Sequence, residues 1–278
     1  MIVDAHHHFW DPATADYPWL TDDLASIRRA FGPDDLEPDL RAAGVDATVL
    51  VQTRSSLEET IDFLAVAAAT PFVRGVVGWV DLTRPDVSDT IARLQGGPGG
   101  DRLVGIRHQA HDEPDAEWLL RDDVCRGVEA VGRAGLVYDL LVRPRELPAA
   151  LNLAERLPDV RFVIDHIAKP PIAAGALEPW ASRIAGFRDL DHVACKLSGM
   201  VTEADWASWR PDDLRPYVDR VLATFGPDRL LFGSDWPVCL LAASYGQVVD
   251  TSRSLLHDLD REELAAVFGG TAARVYRL

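Results

Sequence analysis

The chain has 278 residues, 47% of them hydrophobic, which supplies a large core and excludes a disordered protein. Its 44 acidic residues against 28 basic ones leave a formal net charge of −16 with no basic stripe, so no nucleic-acid partner is expected. Cys125, Cys195 and Cys239 lie far apart without a CxxC, the N-terminus has no secretory leader, and no apolar run nears the roughly 20 residues of a membrane span, so a cytoplasmic protein without membrane attachment is expected.

The first strand is predicted at 1–9, MIVDAHHHF, and a long segment at 10–32 follows it. A second strand, ATVLVQT, covers 47–53, and the run LEETIDFLAVAAAT after it has apolar residues at helical spacing. The third strand, FVRGVVGWV, covers 72–80, and the glycine-rich QGGPGGDR at 95–102 leads into a fourth, RLVGIRHQA, at 102–110. The helical run LLRDDVCRGVEAVGRAG then stops at Gly135, where the fifth strand, GLVYDLLV, begins and runs to 142. VRFVIDHI at 160–167 and HVACKLSG at 192–199 are the sixth and seventh strands. RPDDLRPYVDRVLATFG, with Pro211 and Asp212 at its start and Gly226 past its end, is a capped helix, and RLLFGSDWPV at 229–238 is the eighth strand.

The strands are almost continuously apolar, as parallel strands buried on both faces must be. Eight strand–helix units in a chain of this length predict an α/β fold, a (β/α)8 barrel forming one domain over 1–278, with the 10–32 segment as an active-site loop insertion. A doubly wound sheet is the other architecture with this alternation, but no glycine-rich nucleotide loop follows the first strand.

In such a barrel the C-terminal strand ends line the active site. Those ends carry His6, His7 and His8; Gln52 and Arg54; Arg107, His108 and Gln109; Asp139; Asp165, His166 and, just beyond, Lys169; Lys196 and Ser198; and Ser234 and Asp235. Alternate residues of a strand face the same way. With Val3 and Ala5 packed outward, Asp4, His6 and His8 would point inward. Two imidazoles so placed can share one ion, with His166 and Asp235 as partners. Histidines hydrogen-bonded within a core are the alternative; the further His and Asp at two other strand ends favour a functional cluster.

The segments DAHHHFW at 4–10, VIDHIAKP at 163–170, CKLSG at 195–199 and LFGSDWPV at 231–238 together resemble the amidohydrolase superfamily, amidohydrolase 2 type. YPWL at 17–20 and VGIRHQ at 104–109 resemble its branch of sugar-lactone hydrolases, the L-fuconolactonase and L-rhamnonolactonase kind. The resemblance covers essentially the whole chain. It implies His6, His8, His166 and Asp235 as ligands of a divalent ion, zinc first, and Asp235 as the base that activates water. The fourth strand offers Arg107 and His108 where two-metal members carry a bridging Lys or Glu, and the fifth offers Asp139 where many carry a His. One ion is therefore expected rather than two. Some lactonases of this branch work without a required metal, in which case His6 and His8 would bind substrate.

The expected activity is opening of an aldonolactone, such as an L-fucono-, L-rhamnono- or galactono-lactone, by water activated at Asp235, with His166 and His108 as further catalytic groups. Arg107 would polarise the carbonyl or bind a hydroxyl, unless it forms a strand-end ion pair. Gln52, Arg54, Lys169, Trp10 and Trp236 are the other candidate substrate contacts; for the aromatic residues, as for Tyr17 and Trp19, loop packing is the competing account. Lys196 in an apolar strand is costly unless paired, so a functional role and a structural pair with Asp165 or Asp139 stand side by side for it. Two alternatives stay open: a metal-dependent decarboxylase or hydratase of the same superfamily, revealed by loss of CO₂, and a non-catalytic sugar-acid binder. The sequence leaves assembly into a homo-oligomer open.

Overall fold

The computed structural model describes residues 1–278. Eight strands, β1 (Val3–His7), β2 (Ala47–Val51), β3 (Val73–Gly78), β4 (Leu103–His108), β5 (Val137–Leu140), β6 (Arg161–Ile164), β7 (Val193–Leu197) and β8 (Leu230–Phe232), pair in parallel in chain order. The ring closes between β8 and β1 just above the strands. There the Asp235 N–H donates to the His6 carbonyl at 2.8 Å and the His8 N–H to the Trp236 carbonyl at 2.7 Å. The expected (β/α)8 barrel is the observed one.

The helices that follow the strands are α1 (Pro33–Ala43), α2 (Leu57–Ala69), α3 (Val87–Gly96), α4 (Asp122–Arg133), α5 (Leu147–Arg156), α6 (Trp180–Ile184), α7 (Met200–Glu203), α8 (Pro211–Phe225), α9 (Tyr245–Leu255), α10 (Arg261–Ala265) and α11 (Thr271–Tyr276). Local chemistry fixes their ends. Ser56 Oγ accepts from the Glu59 N–H at 3.2 Å and starts α2, a cap worth about 1 kcal/mol. Pro211 opens α8, and Gly226, at φ +66°, lets the chain turn away from it. No helix is long and apolar enough to cross a membrane.

The core has two parts. Outward strand residues such as Leu50, Val76, Ile106, Phe162 and Phe232 pack against the surrounding helices. Inward residues such as Val49, Val77, Val137, Val163 and Leu231 meet Ala272, Val275 and Tyr276 of α11, which seals the N-terminal end of the barrel.

Strand β1 departs from simple alternation. Its register against β2 is Val3 with Ala47, Asp4 with Thr48 and His7 with Leu50, so Ala5 and His6 together face Val49 alone. This extra residue is a β-bulge, which reverses the side-chain parity across it. Val3 and Ala5 accordingly join the inward cluster, and Asp4 points outward, where it accepts from Ser234 Oγ at 2.6 Å and Tyr245 Oη at 3.1 Å. The expected outward packing of Val3 and Ala5 and inward placement of Asp4 are therefore corrected. His6 still faces inward because it lies beyond the bulge.

The 10–32 segment is a loop with joined ends. Trp10 and Phe31 exchange backbone hydrogen bonds at 3.2 and 2.8 Å, and Trp10 Nε1 donates to the Ile27 carbonyl at 3.2 Å.

Candidate active site

At the mouth of the barrel four polar atoms converge. His6 Nε2 and His8 Nε2 are 3.1 Å apart. Asp235 Oδ1 lies 3.3 Å from His8 Nε2 and 3.8 Å from the Nε2 atoms of both His6 and His166. All four side chains are buried. His8 Nδ1 sits 2.7 Å from the Val51 carbonyl, which only accepts, so that nitrogen carries the proton and Nε2 presents its lone pair to the cluster. His166 is held through Nδ1 by Ser198 Oγ at 2.9 Å.

Backbone strain places two of these groups. His166, Ile167, Ala168 and Lys169 all have positive φ, between 47° and 61°, and Asp235 has φ +58°. Left-handed backbone costs about 1–2 kcal/mol per non-glycine residue, so the surroundings must hold it. They do: Ile167 and Ala168 are fully buried, Trp180 Nε1 donates to the Ile167 carbonyl at 2.7 Å, and the Lys169 N–H donates to the His166 carbonyl at 2.8 Å. Gly199 and Gly233 leave room. A Cβ on Gly199 would meet His166 Nδ1 at 2.5 Å, and one on Gly233 would meet the His6 Cβ at 2.8 Å.

Beneath the cluster lies a buried ionic network. Lys196 Nζ is 2.6 Å from Asp139 Oδ2, 2.9 Å from Asp165 Oδ1 and 3.2 Å from His6 Nδ1. Arg107 Nη1 donates to Asp165 Oδ2 at 2.8 Å and comes within 3.4 Å of His6 Nε2. Tyr276 Oη, reaching up from α11, donates to Asp139 at 2.8 Å. Lys196 thus has both of its expected partners at once.

Burial opposes ionisation of Asp165, but Lys196, His6 and Arg107 together hold its carboxyl well below the usual range. Burial likewise works against the Asp235 carboxylate. His166, His8 and Lys169 outweigh it, and Asp235 titrates below its ordinary value. Burial pushes His6 and His166 far down, so both rings are neutral at physiological pH.

The cluster opens into a cavity of about 220 Å³. Of the sequence candidates, His8, Arg107, His166, Lys169 and Asp235 line it. Gln52 is one layer back: its Oε1 accepts from Arg107 Nη2 at 3.1 Å and its Nε2 donates to the Arg107 carbonyl at 3.3 Å, so it orients the guanidinium.

Four candidates sit elsewhere. His108 turns away because Arg107, its neighbour in β4, takes the inward position; it stacks on Trp118, accepts from Trp79 Nε1 at 3.0 Å and pairs with Glu113 at 2.8 Å. Arg54 is drawn to Glu59 at 3.4 Å and lies over the Tyr17 ring in a neighbouring groove. Trp10 and Trp236 are buried and pack around Phe31, away from the cavity. The aromatic wall comes instead from Trp19, and His111, Asp112 and Arg143 complete the polar rim. The last three follow β4 and β5 by a few residues, where position within a loop carries no orientation signal.

Two overlapping groups could hold a cation: His6 with Asp165 and His166, and His6 with His8 and Asp235. Asp165 is already committed to Arg107 and Lys196, which leaves the second group, with His166 beside it. A tetrahedral zinc with bonds of about 2.0–2.1 Å has donor atoms about 3.3 Å apart. The observed spacings of 3.1 to 3.8 Å suit it. A second ion nearby would meet the Arg107 and Lys196 cations.

Residues 3–278 match the amidohydrolase family profile. The chain belongs to the amidohydrolase family. The resemblance carried by DAHHHFW, VIDHIAKP, CKLSG and LFGSDWPV is borne out. This amidohydrolase is 43% identical over 282 residues to an L-fucono-1,5-lactonase of Burkholderia ambifaria, covering 99% of this chain and 95% of that one. It is 40% identical over 289 residues to an L-fucono-1,5-lactonase of Burkholderia multivorans, covering 100% and 96%. A solved amidohydrolase from Burkholderia multivorans with bound zinc superposes with a TM-score of 0.94 at 40% identity, covering 100% of this chain and 99% of that one.

Proposed function

We propose that this amidohydrolase opens a sugar-derived lactone in the cytoplasm, with L-fucono-1,5-lactone the first candidate. The observation that carries the reading is a buried Asp235 carboxyl set against the imidazoles of His6, His8 and His166, beneath a cavity with room for one small ring. A space of about 220 Å³ has room for a single sugar ring. Full-length relatives at 40% and 43% identity named as L-fucono-1,5-lactonases support the substrate class.

Asp235 takes the proton of a water that attacks the ring carbonyl. Its lowered pKa keeps it ionised and ready. Arg107, fixed by Gln52 and Asp165, turns a permanent charge toward the cavity, where it stabilises negative charge growing on the carbonyl oxygen. His6, His8, His166 and Asp235 would hold one divalent ion, zinc first, which supplies Lewis-acid polarisation and a more acidic water when bound. His6 and His166 are already in the neutral form that such binding needs.

The test is a panel of aldonolactones assayed by acid release, before and after chelation. L-Fucono-1,5-lactone is expected among the best substrates, with elemental analysis giving about one ion per chain or fewer. Failure to hydrolyse any lactone, or release of CO₂ from an aromatic acid instead, overturns the reading. Two tightly held ions per chain would contradict the single site.

A further inference from the structure

Opening a lactone requires a proton for the ring oxygen as it leaves, and Asp235 accounts only for the proton taken from water. The remaining titratable groups around the cavity are few. Arg107 and Arg143 carry guanidinium groups that do not give up a proton. His8 and His166 belong to the ion cluster. His111 is taken up by Asp112, whose carboxylate lies 3.3 Å from its Nε2. Asp112 is ionised beside it, its carboxyl held low by that contact. Lys169 is left.

Its placement is a built feature. The left-handed turn from His166 to Lys169 has close to three residues per turn, so the first and fourth side chains share a side. Both line the cavity, while Ile167 and Ala168 are sunk in the core. Glu203 of α7 receives the Lys169 ammonium at 2.7 Å and fixes it at the rim. Lys169 and Asp235 line the same cavity. The two groups come from the ends of β6 and β8, with β7 between them, and so approach a bound ring from different directions.

We propose that Lys169, held by Glu203, is the catalytic acid that protonates the leaving ring oxygen. This rests on the lactonase reading. Water oxygen bonds to the carbonyl carbon while its proton passes to Asp235. The ring C–O bond then breaks, its electron pair stays on the ring oxygen, and Lys169 Nζ supplies that oxygen with a proton. Asp235 releases its proton, Lys169 regains one from solvent, and the product acid ionises. The net change is lactone plus water to hydroxycarboxylate plus one proton.

The experiment compares three variants on the best aldonolactone, each checked by circular dichroism and thermal melting. Lys169→Met should lower kcat by about 10²- to 10⁴-fold and leave KM within a few-fold, as loss of an acid does. Lys169→Arg keeps the charge and the Glu203 contact but cannot donate, so it should be as slow. Lys169→Cys treated with 2-bromoethylamine restores an amine at the same reach and should recover at least about a tenth of wild-type kcat, the factor-of-ten scale on which a proton donor is judged. The native thiols Cys125, Cys195 and Cys239 are buried, and mass spectrometry with treated wild type as control confirms addition at the new thiol alone. A Lys169→Arg enzyme within about threefold of wild type overturns the proposal, because charge alone would then suffice and Asp235 would return its own proton. So does a confirmed amine that fails to restore turnover. A wild type inactive on every lactone fails the lactonase reading itself, which separates the two.

Discussion

Replacing Lys196 by Met should destabilise the fold by about 3 kcal/mol, at the lower end of the roughly 3–5 kcal/mol that follows loss of one partner from a buried ion pair. Lys196 is fully buried, and its ammonium serves Asp139 at 2.6 Å and Asp165 at 2.9 Å. Neither carboxylate would be left bare. Arg107 still donates to Asp165 at 2.8 Å, and Tyr276 still donates to Asp139 at 2.8 Å. Met nearly matches the lysine stem in length, so little cavity is added. At about 2–4 °C per kcal/mol for a domain of this size, the melting temperature should fall by about 6–12 °C. Adding Asp139→Asn removes the carboxylate that has lost its cationic partner, and the double variant should be less destabilised than the sum of the singles by about 1–3 kcal/mol. Urea and thermal unfolding followed by circular dichroism measure both quantities. A loss below about 1 kcal/mol for Lys196→Met, or strict additivity, would refute the coupled network, because buried contacting charges cannot act independently.

Asp235→Asn is nearly isosteric and should fold normally while kcat drops by about 10²- to 10⁴-fold; retention of more than about a tenth of wild-type turnover would show that another group is the base. His108→Ala should leave kcat within about threefold while costing about 1–3 kcal/mol in unfolding experiments, because its ring serves Trp79, Glu113 and Trp118 outside the cavity. Gly199→Ala places a methyl 2.5 Å from His166 Nδ1 at φ +63°, so it should lower zinc content and turnover together as the imidazole is pushed off Ser198. Normal zinc content and activity in that variant would mean the His166 position is not critical.

The eight strands were readable from sequence because strands buried on both faces leave unbroken apolar runs such as VLV and FVI. Their ends were overrun, since HHHF, LSG and GSDWPV continue past the hydrogen-bonded ladder into the loops around the candidate site. The bulge in β1 was unreadable: a period-2 argument has no term for one extra residue, and the misassignment of Asp4 follows directly. His6 and His8 came out correctly because they share parity on the far side of the bulge. His108 could have been excluded, because Arg107 is cross-paired with Asp139 on the inward face and His108 with Leu140 on the outward face. Trp10 and Trp236 could not be separated from Trp19, since an aromatic residue in a loop has the same composition signal whether it packs on Phe31 or lines a cavity.

The two ends of the barrel divide stability from chemistry, and the division is physical. At the base, the inward residues of the strands are small and apolar, and α11 covers them without straining the strands. At the mouth, the inward positions hold His6, Arg107, Asp139, Asp165 and Lys196, and positive φ falls on His166 to Lys169 and on Asp235. Buried charge and left-handed backbone are both unfavourable in isolation, so the apolar base must supply the stability that holds them in place. Tyr276 joins the two ends. Its ring packs with Val3 and Val275 at the base, and its hydroxyl reaches Asp139, which binds Lys196, which in turn bears on His6. Three direct contacts thus link α11 to His6, although no residue of α11 lines the cavity.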